Sequence, residues 1–308
     1  MTQISAVNKI NPLVEAGNHH LHFIRDDSGL DYIEIDNDFA TAKIALQGAH
    51  VMAWQPKSQQ HPVLWLSSNA RYVQGRSIRG GIPVCWPWFG AHSSDKTAPS
   101  HGYARISEWR LSGANITPLN EVEILLELPS IAHDNYSMGN RVELSIRILI
   151  SHTLSIQLIT KNTGSEAFSF TEALHTYFNI SDIEQIQITG LEDIEYIDLV
   201  DKNLLKTQND SLKFSQETGR VFINTQSSCK IHDPKLARTI KIDKSSSKST
   251  VVWNPWELTA SKMDDLGPVD WRTMVCVESA NALVNPVVLP PAGVHTLAVE
   301  YSVTSDGE

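Results

Sequence analysis

Hydrophobic and polar residues alternate with a period of two along most of the chain, which is the pattern of β-strands with one buried face. Residues 141–150 are the clearest case, because five aliphatic residues fall on one face and mostly polar residues separate them. The alternation predicts strands at 32–36, 42–54, 121–128, 141–150, 154–159, 184–188, 221–225, 239–242, 250–253, 274–278 and 295–303. Short polar runs predict hairpin connections at residues 151–153 and 244–248.

Helical periodicity is nearly absent. One short segment, residues 258–266, has a convincing helical pattern. No β-α-β rhythm, internal repeat or linker-like change of composition interrupts the strands. We therefore predict an all-β fold: a large antiparallel β-sandwich with few short helices, forming a single domain over residues 1–308. In such a fold a concave sheet face can bind a ligand, with the loops supplying specific groups.

The composition argues against several classes of function. A net charge of −10 over 308 residues disfavours binding to nucleic acid or to an anionic membrane. No apolar run approaches the ~20 residues of a spanning helix, and the first residues lack the pattern of a secretory signal. The three cysteines, Cys85, Cys229 and Cys276, are far apart, which argues against a disulfide framework or a zinc ribbon and predicts a cytoplasmic location.

Positive charge is concentrated in residues 71–105 of this acidic protein. The segment contains one acidic residue, Asp95, and five basic ones: Arg71, Arg76, Arg79, Lys96 and Arg105. Such a cluster in a Gly-, Pro- and Trp-rich segment predicts an anion site, where the glycines after Arg79 would let backbone N–H groups approach the ligand. Trp86, Trp88 and Phe89 are candidates for a wall on which a sugar ring stacks. The alternative is a proline-rich connection whose arginines form solvated ion pairs.

Three titratable residues lie among aromatic and apolar neighbours. His101 precedes Arg105 by four positions, His175 lies in a strand-like segment, and Glu278 ends the predicted strand 274–278. Each has a structural alternative: a histidine bonded to the backbone, or a solvated carboxylate at the rim of the sheet. Together they fit acid–base chemistry on a small anionic ligand. Because the sequence has no nucleophile motif, HExxH motif, carboxylate-rich metal loop or nucleotide-binding loop, we expect neither a metal nor a cofactor.

Several segments carry a family resemblance. They are GRSIRGGIPVCWPWFG (75–90), HGYARISEW (101–109), ALHTYF (173–178), VVWNPW (251–256), CVESAN (276–281) and PPAG (290–293). In these motifs and their order the chain resembles the hexose-6-phosphate mutarotases, or glucose-6-phosphate 1-epimerases, a branch of the aldose 1-epimerase superfamily. The resemblance implies a β-sandwich of the galactose-mutarotase type. It also implies interconversion of the α and β anomers of a phosphorylated hexose, with glucose 6-phosphate as the first candidate.

The resemblance assigns roles to the titratable residues. His175 matches the general acid that protonates the ring oxygen, and Glu278 matches the general base that takes the proton from the C1 hydroxyl. His101 matches a second histidine near the ring or C1 oxygens. No covalent intermediate, metal or cofactor is implied.

The resemblance also assigns substrate-binding residues. Its matching arginines, the candidates for contact with the 6-phosphate, are Arg79 and Arg105, with Arg76 close by in the sequence. Ser100 stands where the family often has Gln. Gly219 stands where the family often has an Asp that contacts sugar hydroxyls, and Asp198 or Asp201 is the candidate to replace it.

Two other functions stay open on the sequence. The chain is either a hexose-phosphate mutarotase, an aldose 1-epimerase for neutral sugars, or a sugar-phosphate-binding protein without turnover. In all three cases we expect a small-molecule partner, no nucleic acid and no membrane. The family resemblance favours a monomer.

Overall fold

The structure is a computed structural model and describes residues 20–25, 29–129 and 141–305. Its strands are β1 (His20–Arg25), β2 (Asp31–Asp36), β3 (Ala40–Ala45), β4 (His50–Pro56), β5 (Val84–Cys85), β6 (Arg110–Ile116), β7 (Val122–Glu127), β8 (Val142–Ile150), β9 (Leu154–Asn162), β10 (Phe168–Phe170), β11 (Glu172–Leu174), β12 (Tyr177–Asn179), β13 (Gln187–Thr189), β14 (Glu195–Asp198), β15 (Leu204–Thr207), β16 (Thr218–Phe222), β17 (Cys229–Asp233), β18 (Arg238–Ser245), β19 (Ser249–Asn254), β20 (Met274–Asn281), β21 (Val287–Leu289) and β22 (Val294–Ser305). Helix α1 covers Trp256–Ala260, and 3-10 turns cover Ala104–Ile106 and Asp270–Thr273. None of the helices in these ranges has the length and hydropathy needed to cross a bilayer.

Two eight-stranded antiparallel sheets dominate the described residues. We call the sheet with strand order β13-β17-β18-β22-β9-β8-β7-β6 the outer sheet. We call the other, with order β15-β14-β16-β19-β20-β11-β5 and β12 paired to β20, the site sheet. Strands β1–β4 form a third sheet, and β10 pairs with β21. The predicted all-β fold is confirmed.

The core lies between the two large sheets. Along β8, alternate residues from Val142 to Ile150 are buried, as the period-two pattern requires. They share one apolar cluster with Val252 of β19 and Val275 of β20. Each fully buried aliphatic side chain of this kind stabilises the fold by about 1.5–3 kcal/mol. Strand β20 lies between β19 and β11 in the site sheet and is buried along its whole length, so both of its faces are covered.

The polar run at residues 244–248 is not the hairpin tip that the sequence predicts. Strands β18 and β19 on either side of it pair in different sheets, so the run carries the chain from the outer sheet to the site sheet. Ser247 is fully buried and donates a hydrogen bond to the Ala280 carbonyl oxygen, 2.9 Å away. A polar composition predicted exposure, but these hydroxyls satisfy backbone carbonyls inside the crossover.

Other predicted elements change at their boundaries. The alternating segment 42–54 forms two strands, β3 and β4, joined by a turn in which Gly48 and Ala49 adopt positive φ. The predicted helix at 258–266 begins and ends earlier, as α1. The strand predicted to end at Glu278 continues to Asn281, which moves Glu278 from the rim of the sheet into its interior.

Candidate active site

A histidine and a glutamate meet in the site sheet. Glu278 lies inside β20, and His175 directly follows β11, which pairs with β20. His175 Nε2 lies 3.4 Å from Glu278 Oε1, and the side chains are 9% and 1% exposed, respectively. On β20, Cys276 lies two positions before Glu278 and therefore on the same face of the sheet, opposite Tyr177 of β12. The sheet thus positions the pair rigidly.

Burial controls the protonation of this pair. Burial raises the pKa of Glu278 well above its usual value, although the nearby Arg105 acts in the opposite direction. Burial also lowers the pKa of His175 well below its usual value, and the neighbouring His101, Arg105 and Arg79 side chains lower it further. Both shifts favour the neutral forms, a protonated Glu278 carboxyl and an uncharged His175 ring, with 3.4 Å between Glu278 Oε1 and His175 Nε2.

The pair also has unsatisfied polar atoms. Glu278 Oε2 and His175 Nδ1 are buried and find no hydrogen-bond partner among the described residues. A buried polar atom without a partner costs about 1–3 kcal/mol. Such a cost is typical of a site in which a polar ligand completes the hydrogen bonding.

His101 approaches the pair from a strained loop. Its ring lies edge-on to the His175 ring, with 5.5 Å between the centroids, and its φ of 61° is in the left-handed region. The Gly90 N–H donates to His101 Nδ1 (3.3 Å), so the neutral ring carries its proton on Nε2. Burial, Arg105 and Arg79 lower the pKa of His101 to about 3. His101 is therefore a neutral hydrogen-bond donor beside the pair.

The next residue explains why the loop contains a glycine. Gly102 has a φ of 75°, and a Cβ atom there would lie 2.0 Å from the Trp86 carbonyl oxygen. This contact holds the His101 loop against the segment that contains Trp86. Only glycine fits at such a close approach of two backbone segments.

The aromatic wall differs from the prediction. Trp86 is fully buried and packs against Tyr103, Phe168 and Phe170, so it belongs to the core. Trp88 is half-buried and donates from Nε1 to the Pro99 carbonyl oxygen. Phe89 does reach the site, since its ring meets His101 edge-on at 4.9 Å.

Two aromatic residues that the sequence did not single out lie closer to the pair. The Tyr177 ring stacks on His175 with 4.9 Å between centroids. Trp253 of β19 is half-buried and lies edge-on to His175, 6.2 Å away. The strand pairing of Trp253 with Cys276 could have revealed this position, but no local pattern shows that pairing.

Three arginines gather in one cavity. The cavity has a volume of about 270 Å³ and is lined by Arg71, Gly75, Arg76, Ser77, Pro99, Ser100, Arg105, Ile106, Asp264 and Asp265. Arg105 donates from Nη2 to the Ser100 carbonyl oxygen (2.8 Å), while its buried Nε has no partner among the described residues. Three of the five basic residues of segment 71–105 thus converge, as an anion site requires.

Two aspartates from residues 264–265 partly neutralise this cavity, which the sequence did not indicate. Arg71 Nη2 lies 2.9 Å from Asp264 Oδ2, an ion pair at the surface. Arg79, about one-fifth exposed, contacts Asp265 Oδ2 through Nε and Nη2, at 3.1 and 3.0 Å. Arg79 also donates from Nη1 to the Tyr177 hydroxyl (2.8 Å), so it links the arginine cavity to the aromatic ring that stacks on His175.

The Gly81 N–H is not available to a ligand, although the sequence predicted N–H groups of the glycines after Arg79 at an anion site. The Gly81 N–H donates to the Trp65 carbonyl oxygen (2.7 Å). A Cβ atom at Gly80 would lie 2.5 Å from the same oxygen, and one at Gly81 would lie 2.4 Å from the Val51 carbonyl oxygen. These glycines serve close backbone packing, which fixes the direction from which Arg79 extends.

Comparison with known proteins identifies the family. The sequence model of the family described as aldose 1-epimerase matches residues 31–302, which is most of the chain. The chain belongs to the aldose 1-epimerase family. It is therefore an epimerase of the mutarotase type, and the predicted resemblance is confirmed.

Relatives of this aldose 1-epimerase agree with that assignment. Proteins named "Putative glucose-6-phosphate 1-epimerase" from Salmonella typhimurium and Escherichia coli are each 35% identical over 254 residues, covering 82% of this chain and 84% of the relative. The crystal structure of "a putative mutarotase (YeaD)" from Salmonella typhimurium has a TM-score of 0.86 at 31% identity, covering 98% of this chain and 99% of that one. A galactose mutarotase-like protein from Lactobacillus casei, at 14% identity and a TM-score of 0.68, shares the fold.

In this epimerase, Asp198 does not join the other predicted site residues. It aligns across the site sheet with Arg220, Val252 and Val277, so it faces away from Glu278. Its carboxylate accepts from Lys206 Nζ (2.9 Å) and from two backbone N–H groups of the β14–β15 turn.

Gly219 lies on the same face of the epimerase's site sheet as the pair. A Cβ atom there would be in ordinary contact with Leu199 (3.4 Å) and Val200 (3.5 Å), and would lie 3.9 Å from the Trp253 ring. The surface around Gly219 is therefore apolar where a carboxylate was expected from the resemblance.

Proposed function

We propose that this aldose 1-epimerase interconverts the α and β anomers of a hexose 6-phosphate, with glucose 6-phosphate as the leading substrate. One observation carries the proposal: a buried His–Glu pair is linked, through Tyr177, Arg79 and Asp265, to a cavity that three arginines line. Acid–base chemistry at C1 needs the pair, and a dianionic phosphate ester needs the arginines. The names of the 35% identical relatives support the same substrate.

The proposed reaction transfers one proton at the C1 hydroxyl and one at the ring oxygen. Glu278, as carboxylate, takes the proton from the C1 hydroxyl while protonated His175 gives its proton to the ring oxygen. The C1–ring oxygen bond breaks to give the open aldehyde. Rotation about C1–C2 exposes its other face, and reclosure runs the two transfers in reverse.

The pKa directions suit this exchange. Both shifts favour a proton on Glu278 over one on His175, and moving that proton to His175 produces the reactive ion pair. Burial makes that ion pair costly by itself. We infer that sugar oxygens bound to Glu278 Oε2 and His175 Nδ1, the two atoms without partners, offset part of this cost. His101, a neutral donor on Nε2, would bind the C1 or ring oxygen.

The arginine cavity would hold the 6-phosphate. Arg76 is exposed, and no carboxylate among the described residues pairs with it, while Arg105 has an unsatisfied buried Nε. Both are therefore available to phosphate oxygens, and Ser100 lies at the same cavity. Arg79 is held by Asp265 and Tyr177, so we assign it to positioning the Tyr177 ring against His175.

NMR exchange spectroscopy on equilibrated glucose 6-phosphate tests the proposal. The protein should accelerate magnetisation transfer between the α and β anomeric protons, and His175→Ala should lose about 10²–10⁴-fold of that acceleration. His152→Ala removes an exposed histidine at the β8–β9 turn and is the matched control. Exchange at the buffer rate with broadened signals would indicate a binding protein, and faster exchange of galactose than of glucose 6-phosphate would indicate a neutral-sugar epimerase.

A further inference from the structure

Cys276 has no role in the proposed reaction, yet its thiol lies at the acid–base pair. It is fully buried and lies two positions before Glu278 on β20, so both side chains leave the same face of the strand. One donor atom from each of His175, Cys276 and Glu278 lies within 4.8 Å of the other two. A histidine nitrogen, a thiol sulfur and a carboxylate oxygen thus converge on one point.

We propose that these three residues form a binding site for a thiophilic divalent cation, Zn²⁺ above all, and that the bound ion inhibits the epimerase. The inhibitory part rests on the proposed function of the His–Glu pair. The binding part rests on the donor cluster alone.

The spacing of the donors fits tetrahedral zinc. With Zn–N and Zn–O bonds of about 2.0–2.2 Å, adjacent ligand atoms of a tetrahedron lie about 3.3–3.5 Å apart. His175 Nε2 and Glu278 Oε1 lie 3.4 Å apart and already match that edge. A Zn–S bond of about 2.3 Å requires the sulfur at about 3.6 Å from the other ligands. The three donor atoms lie within 4.8 Å of one another, so the sulfur needs to move closer by up to about 1.2 Å, which a cysteine rotamer adjustment allows.

The donor types select the ion. Imidazole and thiolate ligands favour zinc and copper, whereas magnesium and calcium need a shell of oxygen ligands that this cluster lacks. Three protein ligands leave the fourth position open, as in zinc sites that accept water or another small ligand. The buried Glu278 Oε2, which has no partner among the described residues, is a further donor for the ion or for that ligand.

Binding of the ion and turnover exclude each other. A metal on His175 Nε2 and Glu278 occupies the lone pairs that would otherwise accept and return protons. When the ion also takes Glu278 Oε2, it competes with the sugar oxygen that the proposed reaction places on that atom. The cluster thus makes activity sensitive to free zinc, with chelation restoring it.

Two measurements on the full chain test the proposal separately. In the first, Co²⁺ serves as the probe, because a cobalt–thiolate bond gives a charge-transfer absorption band. Titration should produce this band in the wild-type protein and not in Cys276→Ser. Cys229→Ser, which removes another buried thiol that lies on the outer sheet, is the matched control and should keep the band. A band of equal strength in Cys276→Ser overturns the site, whatever the protein's activity.

In the second measurement, α/β exchange of glucose 6-phosphate is followed against buffered free Zn²⁺. Zinc should inhibit the wild type competitively with the sugar phosphate, and EDTA should restore the rate. The zinc concentration for half inhibition should rise at least about tenfold in Cys276→Ser, because even loss of an outer-shell partner costs metal sites about 10–100-fold in affinity. Equal zinc sensitivity in both proteins overturns the proposal. If neither protein accelerates exchange, the proposed function fails, and the cobalt band alone decides the site.

Discussion

His175 and Glu278 belong to the site sheet and are at most 9% exposed, whereas Arg71 and Arg76 lie in loops and reach solvent. These are the catalytic end and the anion end of the candidate active site. Charges interact strongly at the buried end, since water is excluded, and weakly at the other, where solvent and salt screen them. The difference suggests a division of tasks: rate depends on the buried end, and capture of the phosphorylated sugar depends on the exposed end.

Substituting the buried carboxyl should have the largest effect. Glu278→Gln keeps the shape of the side chain but removes its ability to take a proton. We expect the kcat for anomer exchange to fall about 10²–10⁴-fold, with KM for glucose 6-phosphate nearly unchanged. Exchange spectroscopy over a range of substrate concentrations measures both constants.

Glu172→Gln is the control for this substitution. Glu172 is fully buried on the neighbouring strand β11, but it pairs with His295 (2.7 Å), away from the catalytic pair. The Glu172→Gln variant should have a kcat close to that of the wild type, and any effect should be on the free energy of unfolding. If Glu278→Gln kept near-normal kcat, Glu278 would not be the base.

Substitution of Arg76, which lines the arginine cavity, should have a different effect from substitution of Arg79, which Asp265 and Tyr177 hold. Arg76→Ala removes a solvated cation, so we expect KM for glucose 6-phosphate to rise about two- to fivefold, the loss of one solvent-screened contact, with stability unchanged. Arg79→Ala leaves Asp265 and the Tyr177 hydroxyl without their partner. It should lower the free energy of unfolding by about 1–3 kcal/mol.

Glucose provides the internal control for the arginine pair, because it lacks the phosphate. Arg76→Ala should leave exchange of glucose unaffected, while Arg79→Ala should disturb exchange of glucose and glucose 6-phosphate alike. Denaturant titration reports the stability difference. A selective effect of Arg79→Ala on the phosphorylated sugar would assign the phosphate to Arg79, as the sequence resemblance first suggested.

The buried histidines make stability depend on pH. Burial lowers the pKa of His50 to about 4 and, with Arg105 and Arg79, that of His101 to about 3. Their unfolded pKa is about 6.5, so the unfolded chain binds protons first as pH falls. Stability is full above pH 6.5 and declines as pH falls from there towards 3, by about 1–2 kcal/mol for each histidine at pH 5.

His101→Asn tests this pH dependence. Asparagine tolerates the positive φ at this position and does not titrate. The variant should lose about 1–2 kcal/mol less stability than the wild type between pH 7 and pH 5, measured by denaturant titration. His152→Ala, at an exposed position, should keep the wild-type slope. An unchanged slope in His101→Asn would mean that His101 titrates normally in the folded protein.

The sequence predicted which residues gather at the buried end better than which residues gather at the exposed end, and the reason is physical. Period-two alternation is a local signal, so β8 and β9 were predicted from it. The motifs around His175 and Glu278 are also local. In contrast, the aspartate that holds Arg79 lies 186 residues away along the chain. No local pattern shows that two distant loops will share a cavity, and so Asp264 and Asp265 were missed.

Long-range strand pairing also explains why the hairpin predicted at residues 244–248 was wrong and why the position of Trp253 beside His175 was not predicted. Each depends on which sheet a strand joins, and alternation does not specify the partner strand. The strand containing Glu278 was cut short at that residue because a carboxylate ordinarily marks the end of a buried strand. In the folded protein, burial at this interior position raises the pKa of Glu278, and no local pattern in the sequence shows that burial.

The smallest effect should come from Asp198, which neither end of the site includes. Strand pairing turns its side chain away from the face that carries Glu278, and its contacts are with Lys206 and the β14–β15 turn. Asp198→Asn should leave kcat and KM for glucose 6-phosphate within about twofold and change stability by less than about 1 kcal/mol, as for a surface ion pair. Gly219→Ser, on the catalytic face beside Trp253, is the informative companion, because it adds a hydroxyl to an apolar surface. A tenfold loss of kcat/KM in Asp198→Asn would show that this carboxylate reaches the sugar, and the boundary of the site would then extend across the sheet.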